Sequence, residues 1–258
     1  MEYKDILVTV EGAIGFVTLN NPHTANALSK NTIGELIHAF ESFRNDDSVR
    51  VVIVKANGKH FCSGHNLSEM IDAGMAEAKY IFDRCTDMMT LIHEIPQTVI
   101  IQVRGVATAA GCQLTAAGDL AFADESARFA TPGVRIGLFC STPMVELSRA
   151  VGRKLALEML LTGRFVSAEE AERHGLINRV VPAAELEATV LDTARTIAEA
   201  SPLVLGIGKR GFYAQIELDQ LRAYEWAKST MTMNLMAEDA QEGIKAFLAK
   251  RKPDWVGK

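Results

Sequence analysis

The chain has no long apolar stretch: nothing in its 258 residues approaches the roughly 18 consecutive apolar positions a membrane helix needs. It lacks a charge excess of one sign, with 27 Lys and Arg against 32 Asp and Glu for a net −5. Such a balance gives no electrostatic footprint for duplex nucleic acid or an anionic membrane, and neither partner is expected. Cysteine is sparse. Cys62, Cys85, Cys112 and Cys140 lie far apart without C-x-x-C spacing, which speaks against a disulfide framework and for reduced thiols. The opening Met-Glu-Tyr-Lys-Asp shows neither signal-peptide nor transit-peptide features, so a cytoplasmic location is expected. Two signatures are also missing: no G-x-G-x-x-G follows the first strand pattern, and no G-x-S-x-G elbow occurs. His60-x-Cys62-x-x-His65 clusters metal-capable side chains, but zinc needs three or four converging ligands and no second cluster is present, so no metal is expected. Aromatics make up only 7%, while methionine occurs ten times, which suits ordinary core filling or a Met-rich apolar pocket.

What is present is length and pattern. A chain of this length, 48% hydrophobic, can bury roughly 75% of its unfolded surface around one core. Ile6, Val8 and Val10 alternate with polar residues, turn at Glu11-Gly12, and resume at Ile14, Phe16, Val17 and Leu19, which predicts a hairpin. Ser29 is placed to cap a helix carrying Ile33, Leu36, Ile37, Phe40 and Phe43 on one face. The runs from Val51 and from Thr98 to Val103 read as strands covered on both faces, with Leu120 to Ala123 a weaker third. Strands thus alternate with helices to about residue 130, predicting a layered α/β core with parallel crossovers. Residues 143–175 read as helical, Ile177 to Val181 as extended, and 183–200 as an amphipathic helix. From Ser201 to Lys252 the chain is almost wholly helical. The division expected is a core over 1–200 and a helical oligomerisation region over 201–258, whose faces need a partner surface.

Two segments carry the chemistry. Gly58 to Leu67 follows the Val51 strand with a glycine-containing turn. Gly105 to Leu114 follows the Thr98 strand and opens a helix of very small residues. Both keep the backbone bare, which suits either tight packing or close approach of a ligand to main-chain amides. A helix N-terminus favours an anionic oxygen, and two converging amides would make an oxyanion hole. Cys62, Cys112 and Cys140 are open to two readings, nucleophile or small buried hydrophobe.

Along practically its full length the chain resembles the crotonase superfamily, the enoyl-CoA hydratase/isomerase family. The resemblance rests on Asn26-Ala27-Leu28-Ser29, FCSGHNL at 61–67, GVATAAGCQL at 105–114, FATPGVRIGL at 129–138, LLTGRFVSAEEAERHGLINRVVP at 160–182 and EGIKAFLAKRKPDW at 242–255. It implies a ClpP-like spiral of ββα units, a C-terminal helical region that builds homotrimers, often stacked as hexamers, and an acyl-CoA thioester as ligand without a further cofactor. By position the oxyanion donors are the amides of His65 and Ala110. Ala110 stands where glycine is usual, and its methyl is expected to restrict the backbone there. Asn26, Ala27, Leu28 and Ser63 match residues around the CoA. Phe247 and Lys250 match C-terminal positions that reach its nucleotide, often from a neighbouring subunit.

The resemblance also exposes a loss. Hydratases of the family use two glutamates to activate water and protonate the α-carbon; here those positions hold Gln113 and Gly133. Other branches place an acid or phenol further along, where this chain has Cys140 and Ser141. Thr142 with Pro143 is expected to cap the next helix. His65 lies in a loop resembling that of the superfamily's decarboxylases. The expected protein is a lyase-class enzyme that polarises a thioester and favours decarboxylation or thioester hydrolysis over hydration. Its alternatives are a non-catalytic acyl-CoA-binding or scaffold protein and an enoyl-CoA hydratase of weak or atypical activity.

Overall fold

The computed structural model describes residues 2–258. Alternation in the first segment produces the hairpin: β1 (Ile6–Glu11) pairs antiparallel with β2 (Ile14–Leu19) around Gly12. α1 (Lys30–Arg44) begins where expected, because the extended backbone of Ser29 lets its hydroxyl accept the Thr32 amide at 3.0 Å. Then follow β3 (Val51–Ala56), α2 (Met75–Glu94), β4 (Thr98–Val103), β5 (Val106–Thr108), α3 (Ala110–Ala117), β6 (Leu120–Asp124) and β7 (Arg128–Ala130). The remainder is α4 (Pro143–Ala150), α5 (Arg153–Thr162), β8 (Val166–Ser167), α6 (Ala168–Arg173), β9 (Arg179–Val181), α7 (Leu186–Ala198), α8 (Pro202–Ile216), α9 (Gln220–Leu235) and α10 (Glu238–Leu248).

The main sheet runs β1-β2-β3-β4-β6-β9, parallel after the first hairpin. Successive side chains point to opposite faces. Val52, Val54, Val99 and Ile101 therefore join the core formed with α1 and α2, while Val51, Ile53 and Ile100 meet Leu186, Val190 and Ala194 of α7. That double covering explains the unbroken apolar runs. A second, smaller layer lies beside it: Leu28 bridges His65, Cys62 bridges Ala107, and β5, β7 and β8 form a three-stranded sheet. After β2, β3 and β4 the chain thus makes a short extended piece in the second layer before its helix, which is a repeated ββα unit.

Three local expectations need correction. The stretch after β4 is not simply a turn into a helix, because Val106–Thr108 pairs with β7 as a strand. Residues 143–175 are interrupted by β8. Thr142 makes no side-chain cap, since its φ and ψ (−73°, −42°) are already helical and its hydroxyl cannot swing to the next amides.

Toward the C-terminus α8 is clamped to the body. Lys209 forms a largely buried ion pair with Asp119 at 2.6 Å and donates to the Ile92 and Gln97 carbonyls. Tyr213 donates to Asp119 at 2.9 Å and stacks on His93. Asp239 ties α10 to the start of α8 through Ser201. α9 buries none of its residues. Among the described residues no helix is long and apolar enough to cross a membrane.

Candidate active site

The segments that follow β2, β3, β5 and β7 meet around one cavity of about 700 Å³, within the usual range of small-molecule sites. Ala27, Ser63, His65 and Ala109 stand on one side; Gly133, Cys140 and Ser141 come from the segment after β7.

A close approach of two backbones forms its base. The Leu28 amide donates to the Gly64 carbonyl (2.7 Å) and the Asn66 amide to the Leu28 carbonyl (3.1 Å). This bridge uses groups on either side of His65 and leaves the His65 N–H free of it. In the neighbouring unit Ala109 donates to the Ala130 carbonyl at 2.9 Å, and Ala110 opens α3, where a first-turn N–H has no acceptor within the helix. Among the described residues neither the His65 nor the Ala110 amide has a protein acceptor. The two turns touch: a methyl on Gly64 would lie 2.8 Å from the Ala109 Cβ and 3.3 Å from the Ala110 nitrogen. Gly64 also has a φ of 98°, so glycine is required there twice over.

The unusual backbone lies one residue before its expected place. Ala109 has φ 50° and ψ −117°, a region L-residues avoid and one that stores strain at functional turns. Ala110 is fully buried in the first turn of α3 and its φ is not positive, so its methyl distorts nothing. The sequence signal, Thr108-Ala109-Ala110-Gly111, shows only small residues and does not mark which of them bends.

His65 packs edge-on against Phe82, with ring centroids 5.5 Å apart, and its buried Nε2 has no partner. Burial pushes its pKa down to about 4, so the imidazole is neutral at pH 7. Gln113 is 4% exposed with Oε1 unpaired. Thr131, which sequence reasoning missed, is fully buried with an unpaired hydroxyl at the end of β7. At Gly133 a Cβ would fall far inside the contact shell of the Leu138 carbonyl oxygen and 2.8 Å from Cys140 Sγ. The chain itself therefore leaves no room for a side chain at position 133. Burial pushes the Cys140 thiol up, and that of Cys112 to about 12, so neither is a ready thiolate at neutral pH. Ser141 is exposed on the wall, 3.4 Å from the Phe139 carbonyl. Among the described residues no Asp or Glu lines the cavity, and Arg135, also missed, is its one formally charged wall residue.

The remaining sequence candidates are dispersed. Asn26 is 2% exposed and braces the loops, accepting from the Asn21 amide and donating to the Asn57 and His60 carbonyls. Leu28 belongs to the core, holding the His65 turn through its backbone. Ser63 donates to the Thr24 carbonyl at the rim. Phe247, 82% exposed, and Lys250, just beyond α10, do not line the cavity within one chain. Among the described residues no three His, Cys, Asp or Glu side chains are grouped to hold a metal.

The family model for enoyl-CoA hydratase/isomerase matches residues 9–258. The mouse enoyl-CoA hydratase domain-containing protein 3, mitochondrial, is 47% identical over 244 residues, 93% of this chain and 80% of its own. The crystal structure of human enoyl Coenzyme A hydratase domain-containing protein 3 superposes with a TM-score of 0.96 at 43% identity, covering 98% of this chain and 100% of that one. That of an enoyl-CoA hydratase from Mycobacterium smegmatis gives 0.95 at 46%, covering 98% and 99%.

Proposed function

The chain belongs to the enoyl-CoA hydratase/isomerase family and has the crotonase fold, and from this we propose that it binds an acyl-CoA thioester with the carbonyl oxygen between the His65 and Ala110 amides. The observation that carries the reading is that pair of unpartnered amides beside the contact of Gly64 with Ala109. Donors of this kind, aimed at developing negative charge away from water, contribute about 3 kcal/mol each to lowering a barrier.

The chemistry that fits is one needing no protein base. Syn hydration requires groups that activate water and protonate carbon, whereas Gln113 does not titrate, Gly133 has no side chain, and His65, with its pKa depressed to about 4, is a weak base and is not protonated to act as an acid at pH 7. Decarboxylation asks for less. The bond between the α-carbon and the carboxylate breaks, its electron pair forms an enolate whose oxygen the two amides receive, carbon dioxide leaves, and water supplies the α-proton. Thioester hydrolysis is the second outcome: water adds to the carbonyl carbon, the same amides hold the tetrahedral oxyanion, and the C–S bond then breaks to release the acid and the CoA thiol. An acyl-CoA-binding protein without turnover is supported by the same lack of an acid or base. The CoA thioester is substrate or ligand, not a resident cofactor. The four unpaired cysteines suit a reducing compartment, the cytoplasm in this reading.

The test joins calorimetry with CoA and acyl-CoA to assays on crotonyl-CoA and on thioesters with an α-carboxylate. Binding in the micromolar range, with crotonyl-CoA hydration at least about a thousandfold below a glutamate-bearing hydratase, is expected. Hydration at ordinary rates sinks the mechanism, and absence of CoA binding sinks the whole reading.

A further inference from the structure

Among the described residues Arg135 is the one formally charged side chain on the cavity wall. It sits on the 3₁₀ turn Pro132–Ile136, exposed and lining the same cavity as His65 and Cys140. Its Nε donates to the Thr162 carbonyl at 3.3 Å, and its side chain leans on Gly163, where a Cβ would meet Nε at 3.1 Å and Cγ at 3.4 Å. These contacts fix one edge of the guanidinium. Among the described residues no carboxylate lies within ion-pair distance of it, and its two terminal nitrogens keep their donors for a ligand.

The neighbours bear on what that ligand is. Met70, Phe82, Ile136 and Phe139 share the cavity lining with it, so the guanidinium is the charged group on a largely apolar wall. The positions that carry glutamates in hydratases are neutral here, so nothing repels an anionic acyl group. Arg135 lies two residues past Gly133 along a turn rising about 2 Å per residue. Both residues line the cavity that His65 and Ala109 also line, so a group held there shares its space with the guanidinium. We propose that Arg135 is a specificity-determining residue that reads a second carboxylate carried by the acyl group, so that the ligand class is dicarboxylic acyl-CoA thioesters. A planar fork matched to carboxylate geometry gives selectivity that a lysine would not reproduce fully. This inference rests on the acyl-CoA reading of the site.

Calorimetry with pentanoyl-CoA, glutaryl-CoA and free CoA tests it on the wild-type protein and on Arg135→Ala and Arg135→Lys. The wild type is expected to prefer glutaryl-CoA over pentanoyl-CoA by about tenfold. Arg135→Ala should remove that preference while pentanoyl-CoA and CoA bind within about twofold of wild type, and Arg135→Lys should keep part of it. Equal loss for all three ligands would assign the guanidinium to the CoA phosphates and overturn the proposal, as would unchanged glutaryl-CoA binding. Failure of the wild type to bind any of the three would instead overturn the acyl-CoA reading itself.

Discussion

His65 is neutral in the native protein because burial lowers its pKa to about 4, against about 6.5 in an unfolded chain. Between those values the unfolded chain takes up a proton that the native one refuses. The linked stability is therefore complete above about pH 6.5 and declines as pH falls toward 4, by about 3 kcal/mol at most. Urea midpoints at pH 7 and pH 4.5 check this: His65→Gln should lose less stability on acidification than wild type, and an equal loss would mean the ring is already solvated when folded. That the His65 and Ala110 amides stand in turns after a strand, without a protein acceptor, was legible because a backbone amide is carried by its place in the chain whatever side chain stands there. Three features were not. The backbone angles of Ala109, the buried hydroxyl of Thr131 and the crowding at Gly133 depend on segments that meet only in the folded state.

At the scale of the element, α8 shows why a helix reads easily and its attachment does not. Periodicity gives its extent, but nothing in the spacing announces that Lys209 points inward. Burial outweighs the pull of Asp119 and pushes the Lys209 pKa below its ordinary value, so the ammonium depends on its partner. Breaking such a pair from one side leaves an uncompensated buried charge, costing about 3 kcal/mol or more. Asp119→Asn is expected to lower stability by that amount in urea denaturation, and Lys209→Met added to it should recover part of the loss. A wild-type midpoint for the single variant would show that the clamp carries no weight. β5 was missed for a related reason. Three residues hold no periodicity, and its strand character comes from pairing with β7.

At the scale of the whole molecule, the layering follows from the alternation of strands and helices, and the order of the ββα units from the family motifs. The C-terminal helices are different. Leu221 and Met231 of α9 are each 72% exposed, and Met233, Phe247 and Leu248 stand out beside them. Large apolar side chains left bare in this number suit an association surface, and a homotrimer, alone or stacked as a hexamer, is the assembly proposed. Light scattering should find a trimer or hexamer for the wild type. Leu221→Asp with Met231→Asp should shift the mass toward one chain; a monomeric wild type would refute the assembly.

The crowding at Gly133 works as an interlock. Any side chain there, even a methyl, collides with the Leu138 carbonyl before it can offer a functional group. A carboxylate cannot be installed at this point by one substitution, because the stretch from Leu138 to Cys140 would have to be redrawn in the same step. The glycine and the fold of that stretch thus act as a latch, each holding the other in place.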